Sequence, residues 1–206
     1  MRRGIVVLAV FICANIGAQR VVSARAGMIH YLQGRVTLDG KRIGSNPIRF
    51  RQMENGQTLA TSQRARAEIL LNPTTYLRVG ESSSIKLLSD DLLDTRVALL
   101  TGAAVVDVRE LDHGNRVTLE AGEATVGLLR SGVYQFTTVS GGRVRVYDGE
   151  ALVDSVKVTK GWEMLLNKPP AEAAKFDRKE MDSLYLWSEQ RTKLLEPRVG
   201  FIPWRP

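Results

Sequence analysis

The chain has 206 residues, a formal net charge of +7 and a single cysteine. That length suits one domain with a good core, and one cysteine excludes an internal disulfide or a thiolate metal site. Several of the basic residues lie in the first 26 positions, so bulk charge gives little support to nucleic-acid binding, and no nucleic-acid partner is expected.

Arg2 and Arg3 precede an apolar run from Ile5 to Ile16, and small residues follow at Val22-Ser23-Ala24 and Ala24-Arg25-Ala26. A basic start, a short apolar run and a small-x-small site together predict a secretory signal peptide over residues 1–26, cut near Ala24 or Ala26. The run is shorter than the ~20 residues a membrane helix needs. The membrane is expected to be met only through this segment, and only if it stays uncut. Removing residues 1–26 takes away Arg2, Arg3, Arg20 and Arg25 and leaves 25 basic against 22 acidic residues, a net charge of +3. Cys13 lies inside the apolar run. The residues before it, Val10-Phe11-Ile12, are not the small ones of a lipid-attachment site.

Residues 27–166 read as one β domain. Short runs that alternate apolar and polar side chains follow one another closely, among them Gly34 to Leu38, Ala65 to Leu71, Thr75 to Val79, Ser84 to Leu88, Ala103 to Val108, Val133 to Thr137 and Trp162 to Leu166. Alternation with a period of two marks a half-buried strand, and the Gly, Asp and Asn residues between runs mark turns. Gly34-Arg35-Val36-Thr37-Leu38-Asp39-Gly40 is echoed by Gly142-Arg143-Val144-Arg145-Val146-Tyr147-Asp148-Gly149. No fixed period connects the two copies, so a regular solenoid is not indicated. The expected fold is mainly β, an antiparallel sandwich or roll of many short strands with one C-terminal α-helix.

Residues 167–176, with Pro169 and Pro170, are expected to be a linker or a loose helical turn. Residues 177–206 are expected to hold the helix and an apolar tail. Asp177 with Glu180 fits a capping box, Met181, Leu184, Trp187, Leu194 and Leu195 suggest an apolar stripe, and Pro197 stops the helix. The tail Val199-Gly200-Phe201-Ile202-Pro203-Trp204 is unusually apolar for a chain end.

The ordered set of runs resembles the periplasmic domain of the FecR family. The matching segments are Gly34-Arg35-Val36-x-Leu38, Gly56-Gln57-x-Leu59-Ala60-Thr61, Ala65-x-Ala67-Glu68-Ile69-Leu70-Leu71, Leu77-Arg78-Val79, Ser84-Ile85-x-Leu87, Val97-x-Leu99-Leu100-x-Gly102-x-Ala104-x-Val106, Gly132-x-Tyr134-x-Phe136 and Val144-x-Val146. They span roughly residues 28–166. The helix, with an acidic start and Trp187 four residues before Arg191, looks like one seen in stand-alone, exported members. The regulators for which the family is named resemble anti-sigma factors and carry a cytoplasmic helical domain before a transmembrane helix. This sequence begins instead with the expected signal peptide, so their transcriptional role is not carried over. What the resemblance implies is an exported β domain with a binding or envelope-associated role.

No catalytic, cofactor-binding or metal-binding set is legible. His30 and His113 show no triad or metal spacing, and Leu92 and Leu93 break the ligand spacing of the acidic stretch from Ser89 to Asp94. Arginines spaced by two, Arg49 with Arg51, Arg64 with Arg66 and Arg143 with Arg145, would each share a sheet face. The candidate partner contacts are Arg143, Arg145, Trp187, Arg191 and Trp204, because arginine and aromatic side chains anchor interfaces. The functional expectation is an exported, non-enzymatic protein, periplasmic or secreted, that binds an envelope protein or glycan without a cofactor. The alternatives are a trans-acting periplasmic component of a surface-signalling, sigma-regulator system and a hydrolase of envelope glycans.

Overall fold

A strand with apolar residues at every second position needs a second layer against which to bury that face. The computed structural model describes residues 25–44, 51–111, 114–166 and 173–196. Ala24, Arg49, His113, Pro197, Phe201 and Trp204 lie outside the described residues, as does the apolar run of residues 5–16. In chain order the strands are β1 (Met28–Gln33), β2 (Val36–Leu38), β3 (Lys41–Ile43), β4 (Arg51–Gln52), β5 (Thr58–Thr61) and β6 (Arg66–Asn72). Next come β7 (Thr75–Val79), β8 (Ser84–Ser89), β9 (Asp94–Thr101), β10 (Ala103–Val108), β11 (Arg116–Ala121) and β12 (Ala124–Leu128). The last are β13 (Gly132–Thr137), β14 (Arg143–Asp148), β15 (Glu150–Val153), β16 (Val156–Thr159), β17 (Trp162–Leu165) and β18 (Ala173–Lys175), followed by helix α1 (Ser183–Leu195).

The strands form two nine-stranded sheets. Sheet 1 runs β18-β17-β14-β13-β10-β7-β6-β1-β4, and sheet 2 runs β16-β15-β12-β11-β9-β8-β5-β2-β3. From β5 onward each sheet gains its strands in chain order, so the two advance together. The chain mostly crosses after a hairpin of two strands, which keeps new neighbours antiparallel. Between β9 and β11 it visits sheet 1 with β10 alone, and β9 and β11 are accordingly parallel. The two echoed segments fall in different sheets, as β2 and β14.

The core lies between the sheets. Ala67, Ile69, Leu77, Val106, Tyr134, Phe136 and Val146 face inward from sheet 1, and Leu59, Ile85, Leu87, Val97 and Leu119 from sheet 2, all buried. The intervening residues of sheet 1, including Glu68, Arg78, Asp107, Gln135 and Arg145, point to its outer face, which α1 covers.

Two features differ from the sequence reading. Ala173–Lys175, placed there in a linker, pairs with β17 and forms the edge of sheet 1. The helix cap is Asp182, whose Oδ1 accepts from the Tyr185 N–H at 2.8 Å. Asp177 instead closes a turn, accepting from the Lys179 N–H at 2.9 Å. Met181 therefore precedes the helix, and Leu194 is two-thirds exposed; Leu184, Tyr185 and Trp187 are the large apolar or aromatic residues that α1 buries.

The crossing from β9 to β10 turns on Gly102, which has φ +83°; a Cβ there would stand 2.7 Å from Ser83 Cα. Left-handed backbone and backbone overlap both penalise a side chain. Gly102→Ala is expected to lower the urea-unfolding free energy by about 3 kcal/mol, and a loss below about 0.5 kcal/mol would show that this close approach is not a constraint.

Candidate functional site

The outer face of sheet 1 and α1 enclose a cluster of charges. Register brings Glu68 of β6 opposite Arg78 of β7 and opposite Tyr31 of β1. Neither the Arg78 nor the Glu68 side chain has any solvent exposure. Arg78 Nε donates to Glu68 Oε2 at 2.8 Å. Its Nη1 lies 3.0 Å from Asp107 Oδ2 and 2.7 Å from Ser188 Oγ. Arg191, on the same helix as Ser188, donates from Nη2 to Glu68 Oε1 at 2.7 Å. The Thr192 hydroxyl donates to Asp107 Oδ2 at 2.6 Å. His30 Nδ1 is 2.7 Å from Glu68 Oε1.

Burial by itself pushes the Glu68 carboxyl upward. Hydrogen bonds from Arg191, Arg78 and His30 outweigh it and bring the group down from an ordinary 4.5 to about 2. An ionised carboxylate can only accept, so His30 Nδ1 carries the hydrogen that the two share. At neutral pH Glu68 has no proton to give and works as a fixed anion.

Each end of α1 is pinned. At its start, Asp182 Oδ2 accepts from Gln135 Nε2 at 2.6 Å, and the Tyr147 hydroxyl donates to Gln135 Oε1 at 3.2 Å. At its end, Arg109 Nη2 donates to the Thr192 carbonyl at 3.0 Å, placing a cation at the negative end of the helix. Between them Leu184 and Trp187 pack on Val105, beside Ala103 and Val133. A groove of about 180 Å³ runs along the helix and is lined by Asp107, Val133, Tyr185, Ser188 and Thr192 among others. Another, of about 160 Å³, lies near the helix start and includes Gln135, Arg143, Arg145 and Asp182.

The candidate contacts named from sequence fall as follows. Arg143 and Arg145 share one face and one carboxylate: Arg145 Nε donates to Glu163 Oε2 at 2.7 Å and Arg143 Nη1 at 3.5 Å. Arg145 also stands 5.1 Å from the centre of the Phe176 ring. Trp187 is 9% exposed, with the Arg66 guanidinium 5.4 Å from its ring centre. Arg191 pairs with Glu68 and lies 4.2 Å from the Tyr31 ring centre. Trp187 and Arg191 thus serve the seating of α1. Of the other two arginine pairs, Arg51 is on β4 while its mate Arg49 lies outside the described residues. Arg66 is on β6, whereas Arg64 sits in the preceding turn with φ +56°, so those two do not share a sheet face as expected; both reach Glu81, through Arg66 Nη2 and the Arg64 backbone N–H. Ala26 is described and fully buried.

Sequence reasoning missed Glu68, Arg78, Asp107, Ser188 and Thr192. Polar residues at every second strand position look like a solvated face until a helix is laid over them. The available signal was the pairing of Trp187 with Arg191, one apolar and one cationic residue on the same helical face.

Removing Arg78 leaves two carboxylates buried without their shared cation. Arg78→Ala is expected to destabilise the fold by about 3–5 kcal/mol, against under about 1 kcal/mol for the exposed Arg96→Ala, both measured by chemical denaturation. Glu68 also sets a pH dependence. Its folded pKa is depressed, so its contribution is complete above 4.5 and is lost as pH falls toward 2. On the order of 3 kcal/mol should disappear across that window in the wild type and not in Glu68→Gln, as read by urea midpoints at each pH.

A protein-family model described as FecR protein matches residues 57–152, from just before β5 to β15. Two crystal structures of a candidate anti-sigma factor from Parabacteroides distasonis ATCC 8503, at 1.65 Å and 2.50 Å resolution, are similar to this chain. Their sequence identities are 14% and 15%, and each has a TM-score of 0.47 and covers 58% of this chain. The chain in turn spans 59% of the length of each. No curated protein matches it. The match over β5 to β15, on a chain folded mainly as β-sheet, makes the protein FecR-like across that stretch.

Proposed function

We propose that this FecR-like protein is exported to the cell envelope and binds a protein partner there, without chemistry of its own. The observation that carries this reading is the inequality of the two sheets. The outer face of sheet 1 is occupied by α1 and its ion pairs. Sheet 2 has no covering element among the described residues, and register lines its outer face with the short side chains of Ala98, Thr118, Thr125 and Gly127 beside Lys86, Arg96 and Glu120. The mixed charges of such a face suit a protein surface of complementary pattern. The strands of sheet 2 contain no aromatic residue, so a sugar ring finds no aromatic plane to stack on, which favours a protein over a glycan. The absence of chemistry is supported by Glu68, the most strongly shifted carboxylate, being committed to ion pairs.

A photo-crosslinking residue at Thr118, in cells making the full chain, should capture a discrete envelope protein, and one at Glu189 on α1 should not. Capture of cytosolic proteins alone would defeat the export reading. Equal capture from both positions would defeat the assignment to sheet 2.

A second reading rests on the FecR family match itself: a trans-acting component of a surface-signalling, sigma-regulator system. It expects deletion of the gene to change transcription of a sigma-dependent operon. Unchanged transcription under inducing conditions would remove it and leave the binding reading in place.

A further inference from the structure

The start of the described chain is built into the sandwich. Ala26 has no solvent exposure. Its N–H donates to the Asp90 carbonyl at 2.9 Å, and its carbonyl accepts from Gln52 Nε2. The next residue, Gly27, donates its N–H to the Leu70 carbonyl and accepts from the Met53 N–H, each at 2.9 Å. Gly27 has φ +96°, and a Cβ there would stand 2.8 Å from Leu87 Cδ2. Arg25 differs: its side chain is 64% exposed and reaches Asp90 Oδ2 at 3.4 Å. The boundary between buried and solvated chain falls between Arg25 and Ala26.

The sequence offers two small-x-small sites two residues apart, and they leave different products. Cleavage after Ala26 removes a fully buried residue, deprives the Asp90 carbonyl and the Gln52 amide of their partner, and puts a charged amino group on the nitrogen that faces Leu70 in the interior. Burying that charge beside lost hydrogen bonds is unfavourable. Cleavage after Ala24 keeps every one of these contacts and puts the new ammonium on Arg25, at the surface and near the Asp90 carboxylate.

We infer that export processing cuts between Ala24 and Arg25, with Val22-Ser23-Ala24 as the recognised sequence, and that Arg25 is the first residue of the mature protein. The inference rests on the export reading above. The bond broken is the Ala24–Arg25 peptide, hydrolysed by water, with a carboxylate left on Ala24 and an ammonium on Arg25. The mature chain then carries 26 basic and 22 acidic residues, a net charge of +4.

The test is the intact mass of protein recovered from the envelope fraction of cells expressing the full 206-residue chain. A mass that begins at Arg25 is the expected result. A mass that begins at Gly27 would overturn the inference and leave export standing, whereas a chain that keeps Met1 and stays in the cytosol would overturn both. Val22→Asp sharpens the test, because it alters the third residue before the proposed cut and neither small residue of the other site. The species beginning at Arg25 should be lost in this variant, and its persistence would contradict the assignment.

Discussion

Arg78 is a guanidinium with no exposure to solvent, and a buried cation must find its counter-charges within the fold or destabilise it. Here they come from either side, Glu68 on β6 and Asp107 on β10. Neither acid is completed by the sheet. Glu68 needs Arg191, and Asp107 needs the Thr192 hydroxyl, both supplied by α1. The outer face of sheet 1 is therefore unfinished until the helix is seated. A buried ion network of this kind is no guarantee of extra stability, since apolar replacements can serve as well. Its consequence here is registry. A helix held only by Leu184 and Trp187 on Val105 could slide by a fraction of a turn, but a slide that separates Arg191 from Glu68 leaves buried charge unpaired.

The path of the chain explains why this face can be assembled at all. Sheet 1 gains β6, β7, β10, β13 and β14 in chain order while sheet 2 grows alongside. Strands distant in sequence thus become neighbours, and the residues across them form a row: Tyr31, Glu68, Arg78, Val105, Gln135, Arg145 and Glu163. One row carries the counter-ions of α1, the apolar patch beneath it, the glutamine that fixes its cap and the arginine–glutamate pair beyond its start. Sheet 2 has no comparable row of buried charges among the described residues. The difference between the faces follows from where α1 lies.

Much of the β region was legible because period-2 alternation is a local signal. Ala65 to Leu71, Thr75 to Val79 and Ala103 to Val108 read as strands and are strands. What failed depended on long-range contacts. Asp177 and Asp182 are both acidic residues ahead of an apolar stretch, and the choice between them is made by Gln135, 47 residues before the cap it fixes. Residues 173–175 carry no alternation and become a strand only because the edge of β17 is open to pair with them. Glu68, Arg78 and Asp107 occupy outward strand positions of the kind that usually face water. Trp187 and Arg191 were noticed as prominent side chains, but their partners, Val105 and Glu68, lie 82 and 123 residues away and were invisible to local pattern.

The most direct test of this account is amide hydrogen exchange of α1 in the wild type and in Glu68→Gln. If the ion network seats the helix, the amides of Ser183–Leu195 should lose protection in the variant while those of Val106 and Tyr134, in strands of the sheet core, keep theirs. Unchanged protection of α1 in Glu68→Gln would contradict it.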